Sequence, residues 1–158
     1  MKRINIFLLV SSLVINCFFL CAQSSKPKPE DIKSTWDFFY KGQGKGPILV
    51  DSKLCLEIAA DGPEKYNCET ELKTGTAKIG TKINVWSSFM LPQGDETTIN
   101  VKYILNDLVV NTREAKIRGE GWRIRYWFNY EVASAGNWKI TLSVGETVLS
   151  TFNLKVTE

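Results

Sequence analysis

Histidine is absent from all 158 residues. Without an imidazole the chain has no Ser-His or Cys-His relay, no histidine-ligated zinc and no ordinary general base near neutral pH. Cysteine is scarce too. Of the four present, Cys17 and Cys21 fall in the opening apolar run, and Cys55 and Cys68 lie too far apart for a C-x-x-C redox pair. The glycine run Gly42-Gln43-Gly44-Lys45-Gly46-Pro47 follows no strand and is not closed by Lys-Ser/Thr, so it is a linker and not a phosphate loop. Carboxylates are present but scattered over strand faces and turns: Glu57, Glu69, Glu71, Asp95, Glu96, Glu114, Glu120 and Glu131. A carboxylate-based hydrolase would need two of them paired across a cleft, and ranks last among the readings of this chain. The turns at Asp95-Glu96 and Asn106-Asp107 hold too few spaced oxygen ligands for calcium. No metal and no cofactor is expected.

The chain opens with Met1-Lys2-Arg3 and an apolar run from Ile4 to Ala22, the pattern of a secretion signal, with cleavage between Ala22 and Gln23 as the simplest outcome. Two other outcomes compete. Cys21, followed by a polar Ala-Gln-Ser-Ser-Lys stretch, could carry lipid, although Leu20 sits where a lipoprotein peptidase prefers a small residue; the run is also just long enough for an uncleaved membrane anchor. The expected location is therefore outside the cytoplasm, in the periplasm or at the cell surface. Removing residues 1–22 takes away two of the 20 basic residues and none of the 17 acidic ones, which leaves a formal charge of +1. So nearly neutral a domain implies no nucleic-acid partner.

Residues 23–46 form a flexible tether, in which Asp31 to Tyr40 could make a short helix ending in aromatic residues. Residues 47–158 are the size of one domain. They consist of short alternating segments punctuated by Asp61-Gly62-Pro63, Pro92-Gln93-Gly94-Asp95, Asn106-Asp107, Ser134-Ala135-Gly136-Asn137 and Gly145-Glu146. The expected fold is all-β: an immunoglobulin-like antiparallel β-sandwich of seven or eight strands, with a small barrel second. The turn at Asp61-Gly62-Pro63 lies midway between Cys55 and Cys68. A hairpin there brings them together as a disulfide, as an oxidising compartment would favour.

Gly121 to Val132 alternates strictly. Trp122, Ile124, Tyr126, Phe128, Tyr130 and Val132 face one way; Arg123, Arg125, Trp127, Asn129 and Glu131 face the other. The first set is expected in the core, together with Trp138. The second places two guanidinium groups beside an indole, a pairing enriched at protein interfaces. Arg123, Arg125 and Trp127, with Trp86 as a further candidate, are thus the expected binding residues. Their partner would be an envelope or surface protein or, alternatively, a glycan or peptidoglycan stacked on Trp127. Coverage of Trp127 by the chain's own residues 36–40 is the competing, purely structural expectation.

The order Val85-Trp86-x-x-Phe89, Gly121-Trp122-Arg123, Gly136-Asn137-Trp138-x-Ile140 and Phe152-x-Leu154-x-Val156 resembles the bacterial domain-of-unknown-function family 2914. The resemblance covers about the last 105 residues. It implies an exported or envelope-associated sandwich module and transfers no catalytic residue.

Overall fold

The computed structural model describes residues 32, 33, 35, 36, 47–120 and 123–158. The signal segment with Cys21, most of the tether, and Gly121 and Trp122 lie outside them. Of the expected aromatic helix, Ile32, Lys33, Thr35 and Trp36 are described, and all four are helical.

The described residues form nine strands, against the seven or eight expected: β1 (Ile48–Ile58), β2 (Cys68–Glu71), β3 (Thr76–Lys78), β4 (Lys82–Met90), β5 (Glu96–Leu105), β6 (Leu108–Arg118), β7 (Ile124–Glu131), β8 (Gly136–Val144) and β9 (Thr147–Thr157). They form two sheets, sheet A in the order β2-β1-β4-β7 and sheet B in the order β3-β9-β8-β5-β6. The chain crosses between sheets after β2, β3, β4, β6 and β7, so the fold is an immunoglobulin-like sandwich. One pair departs from the antiparallel expectation. β3, only three residues long, runs parallel to β9, with Thr76, Ala77 and Lys78 opposite Lys155, Val156 and Thr157. So short a strand leaves almost no alternation in the sequence to read.

The core follows from the period of two. Leu54, Val85 and Phe128 lie opposite one another across β1, β4 and β7, and all three are buried. Ile99, Val101 and Tyr103 of β5, all buried, lie opposite Val144, Leu142 and Ile140 of β8. Trp138 is buried as expected, and its Nε1 donates to the Ser134 carbonyl at 3.0 Å. Tyr103 stacks on Tyr130 with ring centroids 4.1 Å apart. Its hydroxyl is buried without a hydrogen-bond partner among the described residues, and that burial pushes its pKa up. Leaving a buried hydroxyl unpaired costs about 1–3 kcal/mol.

Gly119 holds one end of the sandwich together. Its N–H donates to the Asp95 carbonyl at 2.8 Å, and its own carbonyl accepts from Gly94 at 2.9 Å. A Cβ added there would stand 1.8 Å from the Pro92 carbonyl oxygen, a backbone atom with no freedom to yield.

Two substitutions with opposite expected signs check this packing by urea unfolding. Tyr103→Phe removes an unpaired hydroxyl and keeps the stacked ring, so stability should hold or rise by about 1 kcal/mol. Gly119→Ala should lower it by about 3 kcal/mol through overpacking. A marked loss for the first variant, or none for the second, would contradict the packing described.

Candidate functional site

The site is built on the outer face of sheet A. Residues directly opposite across a sheet share a face, so Lys53, Trp86 and Trp127 form one outward row, and Asp51, Ser88 and Arg125 the next. Cys55 lies on the outward positions of β1 with Lys53. Its disulfide to Cys68 joins residues 13 apart and has a Cα–Cα distance of 5.7 Å. The expected pairing is therefore present. Because Cys55 points outward, the link draws the intervening loop over the outer face of the sheet.

That loop is a narrow hairpin. Gly62 supplies the left-handed backbone at the turn (φ 72°). The stem is closed by Tyr66 N–H donating to the Ala59 carbonyl at 2.8 Å and Ala59 N–H to the Asn67 carbonyl at 2.9 Å. Tyr66 is also left-handed, with φ 69°, which costs a non-glycine residue about 1–2 kcal/mol. The conformation places two groups of Tyr66 against the sheet. Its carbonyl accepts the Trp86 indole N–H at 2.7 Å, and its ring stacks on Trp127 at 5.8 Å. Lys65 Nζ stands 4.8 Å from the Tyr66 ring centroid, a cation–π contact.

The four expected binding residues are thus near one another but differ in accessibility. Trp86 is only 2% exposed and its N–H is satisfied, so it supports the face from below and offers no contact. Trp127 is half-buried under Tyr66, which is itself 47% exposed. Tyr66 of the disulfide loop thus covers one side of Trp127; of the segment 36–40 expected there, residues 37–40 lie outside the described residues. Arg123 donates from Nε to Ser88 Oγ at 2.6 Å. Arg125 is half-buried, and its Nε has no acceptor among the described residues. Desolvation lowers the Arg125 pKa, Arg123 adds to the lowering, and Glu64 on the loop opposes it. Asp51, in the same row as Arg125, is held by Lys53 at 3.3 Å. The result is a cationic corner beside an aromatic ledge, with a desolvated donor unused.

Sequence reasoning missed Tyr66, Lys65, Glu64 and Ser88. A signal for the loop was present. A disulfide at an outward strand position, with a tyrosine two residues before the second cysteine, places that tyrosine over the outer face. Among the described residues no group of three or more acidic or cysteine side chains gathers to hold a metal ion.

If the loop is the cover, breaking it should expose indole. Cys55→Ala/Cys68→Ala is expected to lose about 3 kcal/mol of stability in urea unfolding. Tyr66→Gly relieves the backbone strain while removing the ring, so it should raise acrylamide quenching of tryptophan fluorescence at nearly unchanged stability. The rise should vanish in a Trp127→Phe background. Equal quenching with and without the Tyr66 ring would remove the cover from the description.

No family model matches the chain, and no curated protein is similar to it. Solved structures are similar at low identity. One is the alkylpurine DNA glycosylase AlkC of Pseudomonas fluorescens, with TM-score 0.48 and 8% identity over 78% of this chain; the match spans 33% of that protein's chain. Another is the C-terminal domain of wzt, with TM-score 0.49, 12% identity, and coverage of 73% of this chain and 75% of that one. A third is the CARDB domain of the Pyrococcus furiosus protein PF1109 in complex with di-metal ions, with TM-score 0.37, 13% identity, and coverage of 68% and 88%.

Proposed function

We propose that the chain is a non-enzymatic, exported β-sandwich module that docks an envelope or surface protein through Arg123, Arg125 and the Tyr66–Trp127 ledge. The observation that carries this reading is the Arg125 Nε, buried and without an acceptor among the described residues. A buried N–H left without an acceptor is unfavourable, and an incoming carboxylate would satisfy it while pairing with the charge. Beside it, Tyr66 and Trp127 supply rigid aromatic surface, which loses little entropy on being buried. The partner should therefore carry an acidic side chain next to an apolar one. The ring of Trp127 already lies against Tyr66, which favours this reading over a sugar stacked on the indole. Arg123 and Arg125 are the residues assigned direct contact, with Tyr66 and Trp127 as the ledge and Trp86 as support. The carboxylates are scattered over strand faces and turns, which argues against a carboxylate-based hydrolase.

A photo-crosslinking residue at position 66 of the full chain, activated in cells, tests the assignment. One dominant protein adduct is expected, weakened at least 30-fold (about 2 kcal/mol) by Arg125→Glu, which puts like charge against the partner's carboxylate. An adduct that survives Arg125→Glu unchanged, or the absence of any adduct, would falsify the docking role of this face.

A further inference from the structure

The outer face of sheet B has a different chemistry. Lys155 lies opposite Asn137, Lys139 lies between Asn153 and Ile104, and Lys102 lies opposite Thr141. The three lysines are all exposed, and they step diagonally across β9, β8 and β5, about 7–8 Å apart at each step by sheet geometry. Among the described residues none of them is in an ion pair.

At the Lys139–Lys155 end the diagonal meets a cleft of about 540 Å³, within the range of small-ligand sites. Asn106, Asp107, Asn137 and Asn153 line it with the two lysines. One wall is set by backbone. Asn106 and Asp107 both have positive φ (47° and 67°), which makes the tight β5–β6 hairpin. The Asn106 side-chain oxygen accepts the Asn137 N–H at 3.1 Å, and the Asn106 N–H donates to the Asn137 carbonyl at 3.0 Å. Gly136 makes room for this pairing, since a Cβ there would stand 2.7 Å from Leu105 Cδ1 and 3.1 Å from the Asn106 amide.

We propose that this corner binds an acidic polysaccharide, a chain of sugars bearing carboxylates. Side-chain amides donate to and accept from vicinal hydroxyls, and a carboxylate accepts from them; Asn137, Asn153 and Asp107 line the cleft and supply both kinds of group. Lys155, Lys139 and Lys102 then take successive acidic groups along the chain, and their spacing suits an extended polymer better than a single anion. Nucleic acid fits less well, because the outward positions of β5, β8 and β9 carry no aromatic side chain on which a base could stack. A lipid bilayer fits less well too, since the site is concave and Asp107 stands at its rim. The inference is independent of the sheet A site.

The test is titration calorimetry of the full chain at low salt with oligogalacturonate of about six sugars, alongside a neutral glucan and a glutamate peptide of similar length. Oligogalacturonate should bind at least tenfold more tightly than either control. Lys139→Ala/Lys155→Ala should weaken it at least tenfold and Asn153→Ala measurably, while Arg125→Glu leaves it unchanged. Each of three results would overturn the proposal: no binding of oligogalacturonate; equal affinity for the glutamate peptide, which would make the corner a general anion patch; or binding insensitive to the lysine substitutions.

Discussion

The position of one disulfide determines much of this molecule's surface. Cys55 occupies an outward position on β1, so the bond to Cys68 lies over sheet A and not inside the sandwich. Chain entropy alone assigns such a loop about 3 kcal/mol, but its geometric effect matters more here. The short hairpin brings Tyr66 to Trp86 and Trp127, which would otherwise leave two indoles side by side in water. The domain consequently has two apolar layers: the core between the sheets, and a smaller cluster of Trp86, Trp127 and Tyr66 outside sheet A. The left-handed backbone at Tyr66 costs about 1–2 kcal/mol. The indole hydrogen bond and the ring stack lie on the same residue and offset it.

This arrangement also explains how β7 can carry large side chains on both faces. Phe128 and Tyr130 fill the inner layer, and Trp127 belongs to the outer one. The arginines flanking Trp127 sit at the rim of the cover. Arg123 finds Ser88, whereas the Arg125 Nε finds no acceptor among the described residues, and Asp51 in its row is paired with Lys53. A surface residue in that state is a consequence of where the loop ends, not of the strand that carries it.

Most of the fold was legible in the sequence because alternation is a local property. The segments Lys82–Met90, Glu96–Leu105 and Thr147–Thr157 each carry enough residues for a period of two to stand out, and their turns hold Gly or Asn-Asp at the needed positions. β3 was not legible, since three residues fix no period and its partner lies some 80 positions away. The inward and outward sets of β7 could be assigned, but exposure could not, because outward equals exposed only where nothing folds back. Trp86 shows the difference: its parity is that of the outer face, yet the loop buries it. The cleft on sheet B was invisible for another reason. Asn106, Asn137 and Asn153 are unremarkable in three separate segments, and only the register of β5, β8 and β9 makes them neighbours.

The sandwich leaves two sheet edges side by side, β6 and β7, bridged by Arg113 donating to Asn129 at 3.1 Å. Such edges invite strand addition unless they carry charge. β6 carries Arg113, Glu114, Lys116 and Arg118 in its second half, after the exposed Leu108, Val109 and Val110, and β7 carries Arg125 and Glu131. A strand pairing there would have to desolvate these groups or separate the Arg113–Asn129 bridge. The two proposed sites lie on faces of the sandwich and not on these edges. Those faces differ in kind: on sheet A an aromatic ledge ends in a half-buried arginine, while sheet B presents exposed lysines and amides around a cleft. A ligand suited to one lacks what the other requires, since the first needs apolar surface beside its acid and the second needs hydroxyls beside it.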